Sequence, residues 1–259
     1  MRVILGVISL FFINGCAALD ARVEANQAYQ AFNKKDYAGA IEHYGIALQN
    51  SPDNRSLQKN LGLSHLELAK TAENPTDATT HYNQAIDALF KVLKQTPEDK
   101  ELGAVLVEAW TQTDRLQEAS TYYQEYVKKF PKDPEGWQIL GQIEVHRGNY
   151  QAALDTYEKR QQLEPEDLQI TSGKAILCWE WLRASEAEDS SKAIEIANIG
   201  LDAAMKTDAK DPKHPTALVY AGLLLRQRAA RQKDSKASQN DLLEAKKLLE
   251  RVRARNKGA

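Results

Sequence analysis

The chain is poor in several residue classes at once. Its 259 residues include only 2 cysteines, 8 prolines and 13 glycines. Two cysteines cannot make a disulfide framework. They also sit in unlike surroundings, Cys16 closing an apolar N-terminal segment and Cys178 lying within Ala175-Ile176-Leu177-Cys178-Trp179, so they are not expected to pair. With few helix breakers in a sequence that is 42% hydrophobic and 27% charged, an all-helical body is expected. An excess of one charge is missing too: 34 basic residues stand against 36 acidic ones. No global field would draw the chain to a polyanion, which argues against nucleic acid as a partner. The N-terminal apolar run, Val3 to Ile13, is about half the roughly twenty residues that a membrane span requires.

That run has another layout. Met1-Arg2 supplies one positive charge, the apolar stretch follows, and Asn14-Gly15-Cys16 ends it, which is the order of a secretory signal. Ile13-Asn14-Gly15-Cys16 resembles the lipobox of bacterial lipoproteins, with Ile13 in place of the usual Leu and Asn14 in place of the usual small residue. The resemblance implies a signal peptide over 1–15, a mature chain over 16–259 and lipid, palmitate included, on Cys16. Each buried methylene of such chains contributes about 0.8 kcal/mol, so several chains anchor a protein permanently. Ala17, not Asp, follows the cysteine. By the same resemblance, the protein is expected in the cell envelope, lipid-anchored to the outer membrane and facing the periplasm. The alternative is an ordinary signal peptide cut near Ala17-Ala18, leaving a soluble secreted protein.

The body is periodic. Pro97, Pro131 and Pro165 each follow a helix-like run and are spaced 34 residues apart. Between the last two stand Trp137, Leu140-Gly141, Gly148-Asn149-Tyr150, Ala153 and Tyr157. The small residues let two helices approach, the large ones fill the space between them, Gly148-Asn149 turns the chain, and Pro165 ends the second helix. This set resembles the tetratricopeptide repeat. Variants recur at Ala28, Tyr37, Ala40, Tyr44, Ala47 and Pro52, and at Leu106, Trp110, Ala119, Tyr123, Tyr126 and Pro131. A second hairpin pairs Leu61-Gly62 with Ala85, Leu89 and Pro97 and is about eleven residues longer than usual. Its helices are expected to lengthen by about a turn and a half each and to meet at Asn74-Pro75. A fifth runs through Ala175, Cys178, Ala193 and Ala197, with a polar connection over Glu186 to Ser191. A sixth pairs Ala221-Gly222 with Ala245, Leu249 and Val252, with a long connection around Lys233 to Lys236. The resemblance implies an all-α, right-handed superhelical solenoid of about six hairpins in one domain.

No reactive constellation is visible. His43, His65, His81, His146 and His214 lack the His-Glu-x-x-His spacing, no Gly-Lys-Ser/Thr phosphate loop occurs, and no Gly-x-Ser-x-Gly elbow is present. Glu144 and His146 are two residues apart on a helix and should point different ways, which disfavours a shared metal. Cys178, among apolar neighbours, reads as a small buried hydrophobe. The expectation is a protein that is not an enzyme and has no cofactor, metal or small-molecule substrate. The competing reading is an envelope enzyme or carbohydrate-binding protein acting through the long connections of hairpins two and six.

In the family resembled, the first helix of each hairpin lines a concave groove that accepts a peptide or helix of another protein. Repeat phase puts Tyr29, Phe32, Asn33, Leu63, Glu67, Glu108, Gln112, Gln142, His146, Ile176, Trp179 and Glu180 on that side. Ala25 and Tyr29 stand where chaperone-tail-binding members carry Lys and Asn, so a chaperone-type clamp is not expected. Charge is uneven locally: acids exceed bases by about seven between 135 and 202, and bases exceed acids by about as many between 226 and 257. Arg251, Arg253 and Arg255 are candidates for a basic docking surface. The expected role is an envelope-anchored scaffold binding other proteins, in assembly of a pilus, secretion, outer-membrane protein or cell-wall complex.

Overall fold

The computed structural model describes residues 5–185 and 190–257, with side chains from Leu19 to Ser185 and from Ser190 to Arg255. The described residues form twelve helices and no strand. They are α1 (Leu5–Asn33), α2 (Tyr37–Asn50), α3 (Arg55–Thr71), α4 (Pro75–Gln95), α5 (Lys100–Thr111), α6 (Leu116–Lys129), α7 (Pro134–His146), α8 (Tyr150–Leu163), α9 (Leu168–Ala184), α10 (Ser190–Lys210), α11 (Ala217–Ala229) and α12 (Ser235–Lys257). Their order is that of six successive helix–turn–helix segments, as the spacing predicts. The chain makes two compact units, 1–119 and 120–259.

A proline and the residue two beyond it punctuate the repeat. After Pro52, Pro97, Pro131 and Pro165 stand Asn54, Asp99, Asp133 and Asp167. Each of these caps the following helix, its side chain accepting from a backbone amide of that helix's first turn: Ser56 and Leu57, Leu102, Glu135, and Gln169 respectively. The proline ends one helix because it has no amide to donate, and the short acid or amide starts the next by satisfying an orphan donor, worth about 1 kcal/mol per cap.

In the first unit α1 packs on α2, α2 on α3, α3 on α4 and α4 on α5. Ala28, Ala40, Tyr44, Ala47 and Leu57 form one core cluster there. Gly62 lies against Leu89, and a Cβ at that glycine would come within 2.5 Å of the leucine Cγ. The second hairpin lengthens as expected: α3 has 17 residues and α4 has 21, and only 72–74 separate them. In the second unit α7 packs on α8, α8 on α9, α9 on α10, α10 on α11 and α11 on α12. Its core runs from Ala153 and Leu154 through Cys178, Trp181 and Ile196 to Leu224 and Leu248. The connection expected to be long in the sixth hairpin is short. α11 ends at Ala229 and α12 begins at Ser235, so Ser235 and Lys236 are helical. The extra residues extend α12 to 23 residues instead of building a loop. The polar connection expected at Glu186 falls, over 186–189, outside the described residues.

Candidate functional site

Two first-of-pair helices, α7 and α9, bring four of the expected groove residues together. Gln142 and His146 are exposed on α7, Ile176 and Glu180 are half-buried on α9, and all four line one cavity of about 190 Å3. Its apolar wall is Val145, Tyr157 and Leu177. Gly173 is there because Tyr157 lies across α9 at that point: a Cβ on the glycine would meet the tyrosine ring edge at 2.8 Å. Burial raises the Tyr157 hydroxyl above its usual pKa, so it stays a neutral donor. Gln142 and Tyr157 also line a second cavity of about 160 Å3, bounded by Gly141, Thr156, Arg160 and Gln169. The surface joins apolar depth to amide and guanidinium donors at its rim, the mixture that holds a peptide by side chain and backbone together.

The other expected groove residues divide. Tyr29 is 59% exposed. Asn33 is exposed as well. Phe32 is half-buried, meets the Tyr37 ring edge-on at 5.4 Å and packs on the first core cluster, so it has a packing duty. Trp179 is also half-buried, edge-on to Tyr220 at 5.6 Å with the Arg183 guanidinium over its face. Leu63 and Glu67 are half-buried, and Glu108 and Gln112 are exposed. Glu67 and Glu108 both pair with Lys70, each at 3.1 Å. Of the three basic candidates, Arg251 and Arg255 bind the buried Asp208 carboxylate on α10, at 3.0 and 2.7 Å. Arg253 is exposed.

Several polar groups that matter were not legible as such. Glu144 is 1% exposed, yet its carboxylate accepts from Ser120, from Arg147 at 2.7 Å and from the Asn149 amide at 2.9 Å. Both oxygens of Asp241 accept from one edge of Arg228, from Nε at 2.9 Å and from Nη2 at 2.6 Å. In α3 and α4, His65 and His81 face each other through Nδ1 atoms 3.2 Å apart. Burial, and the charge His81 would carry, push His65 down to about 4. Each partner lies on another turn or helix, so the only sequence signal was a charged residue at a position where the repeat is small or apolar. Cys178 is buried, and burial pushes its thiol up to about 12, so it is a packing residue with little thiolate character.

The side chain of Cys16 lies outside the described residues. Among the described residues no helix is long and apolar enough to cross a membrane, and no three His, Cys, Asp or Glu converge as metal ligands would.

The fold and the paired-helix surface define a helical-hairpin repeat protein. Residues 78–143 match the family model of the tetratricopeptide repeat. That stretch of the chain carries the tetratricopeptide repeat. A 60-residue stretch is 37% identical to a putative cytochrome c-type biogenesis protein, CcmH, of Haemophilus influenzae; the match covers 23% of this chain and 13% of that protein's length. Solved structures similar to the chain include MamA from residue 41 to its end, from Desulfovibrio magneticus, 13% identical with a TM-score of 0.47, covering 74% of this chain and 97% of that one. A tetratricopeptide-repeat protein of Parabacteroides merdae is 17% identical with a TM-score of 0.32, covering 88% of this chain and 99% of the other.

Proposed function

We propose that this is an envelope-anchored scaffold that holds a peptide or helix of another protein on the α7 and α9 surface. The observation that carries the reading is the shared cavity: Gln142 and His146 on one helix and Ile176 and Glu180 on the next, residues marked by repeat phase alone, line a single recess. Their side chains make few bonds within the unit, so they are available to a ligand. The anchor follows from the apolar run ending at Gly15-Cys16, with lipid on Cys16 holding the body at the outer membrane on its periplasmic side. The partner belongs to an assembly of the envelope such as a pilus, secretion, outer-membrane protein or cell-wall complex.

Two variants test the two halves of the reading. Cys16→Ser should release the protein from the membrane fraction, and retention at the parent level removes the anchor. Combined Gln142→Ala, His146→Ala and Glu180→Ala should weaken capture of the partner from envelope extracts by about tenfold or more, at an unchanged melting temperature. Equal capture by parent and triple variant removes the groove.

A further inference from the structure

The two flanks of α12 are unlike. Counting 100° per residue, Asp241, Ala245, Leu248 and Val252 make its inward stripe, and the first three are buried. On one side of that stripe Arg251 and Arg255 reach back to Asp208 on α10. On the other side lie Leu242, Lys246, Leu249 and Arg253, and there Leu242 is 51% exposed and Leu249 37%. Val219 on α11 is 41% exposed and lines one groove with Leu249. Between the two helices runs a groove floored by Gly222 and Ala245 and walled by Val219, Leu223, Leu249 and Val252, with Arg226 at one end. No described helix of the chain covers it.

Spacing and charge together select an occupant. Along α12 Leu242 stands seven residues before Leu249 and Ala245 seven before Val252, and along α11 Val219 stands seven before Arg226, the heptad period by which one helix seats on two others. Gly222 leaves the floor free of a side chain, and a Cβ there would meet only the Ala245 carbonyl, at 3.7 Å. The rim is positive. Arg226, Lys246 and Arg253 are exposed and take no part in the ion pairs of this hairpin, which use Arg228, Lys247, Arg251 and Arg255. A second copy would set this positive rim against itself, and a lipid surface has no use for a concave seat.

We infer that the groove between α11 and α12 is a second docking site, which takes an amphipathic helix with leucine-like residues at heptad spacing and carboxylates on its flanks. The site goes beyond the α7 and α9 surface, shares no residue with the cavities there and stands or falls separately from it.

The test uses the full chain and two synthetic helical peptides of about three heptads, with leucine at both core positions and either Glu or Lys at the flanking ones. The Glu peptide should bind about tenfold or more tighter than the Lys peptide, with the difference shrinking as salt rises. Leu242→Ser with Leu249→Ser should abolish binding of the Glu peptide, while Gln142→Ala leaves it unchanged. Arg226→Glu, Lys246→Glu and Arg253→Glu together should reverse the preference. All these positions are exposed, so circular dichroism melting should match the parent. Equal binding of both peptides, or indifference to the leucine and charge variants, overturns the proposal. So does sedimentation showing that the chain self-associates through Leu242 and Leu249, or binding to phosphatidylglycerol vesicles that those two substitutions abolish in a Cys16→Ser background.

Discussion

The two units bury polar groups by different means. Among the described residues of the unit over 1–119 the buried polar side chains are Gln58, Ser64 and His65, all uncharged at neutral pH. In the unit over 120–259 they include Glu144, Asp208 and Asp241, each held by arginine: Arg147, the pair Arg251 and Arg255, and Arg228. A buried carboxylate costs several kcal/mol in lost hydration, which only a well-placed guanidinium and further donors offset. Each of the three ties helices together. Asp208 fastens α12 to α10, Asp241 fastens α12 to α11, and Glu144 links α7 to Ser120 on α6. The same repeat geometry is thus held in one unit by apolar packing with partly exposed ion pairs such as Lys59–Asp99 and Lys70–Glu108, and in the other by packing plus buried carboxylates paired to arginine.

The largest test of that contrast is Glu144→Ala. It removes the carboxylate to which Arg147, Ser120 and Asn149 donate, so the second unit should lose about 3 to 5 kcal/mol in urea unfolding, with faster amide exchange in α7 and unchanged exchange in α3. A loss below about 1 kcal/mol would mean that the buried pair does not hold the helices.

Acid should act on the first unit through His65. Its folded pKa, about 4, lies below the 6.5 of the unfolded chain, so between those values the unfolded state binds more protons. The His65 contribution is flat above about pH 6.5, stability falls as pH drops from there toward about 4, and the full effect is on the order of 3 kcal/mol. His65→Gln should flatten the pH dependence of α3 and α4 exchange over that window. An unchanged slope would assign it to other groups.

Close approach of helices should matter in both units. Gly141→Leu forces a side chain into Thr156 and should cost about 1 to 3 kcal/mol or more, and Gly62→Leu meets Leu89 with a similar loss. Melting temperatures equal to the parent would contradict both hairpin contacts.

The smallest effect lies in the turns. Asp36 donates its amide to the Ala31 carbonyl and Asn149 to that of Glu144, at 2.9 and 2.8 Å, closing equivalent turns. The left-handed residue is Lys35 (φ 61°) in one and Gly148 (φ 72°) in the other. Lys35→Gly should therefore stabilise by a few tenths to about 1 kcal/mol, and Gly148→Ala should destabilise by about 1 kcal/mol. The same sign for both, read by denaturant midpoint, would break the equivalence.

The repeat was legible because it is local. Prolines 34 residues apart and small residues facing large ones mark each hairpin without knowledge of any distant contact, and even the lengthening of α3 and α4 follows from the position of Asn74-Pro75. The caps at Asn54, Asp99, Asp133 and Asp167 were equally local and could have been found from the same prolines. What the sequence hid was long-range. Arg255 and Asp208 are 47 residues apart, and nothing near either says that two bases from a basic run turn inward while Arg253 does not. The aromatics were ambiguous for a related reason. Helical phase places Phe32 and Trp179 near a groove, but Tyr37 and Tyr220 decide that they pack, leaving Tyr29 as the exposed ring. Helical phase alone puts Gln142, His146 and Glu180 on one side of their helices, and the structure sets them around a single recess.

The scaffold reading is tested most directly by photo-crosslinking in living cells, with a benzophenone amino acid placed in turn at Gln142, His146 and Glu180, and at Lys159 on the exposed side of α8. The account predicts one and the same discrete crosslinked partner from the three recess positions and none from Lys159. No crosslink from the recess, or the same products from Lys159 as from the other three, would contradict it.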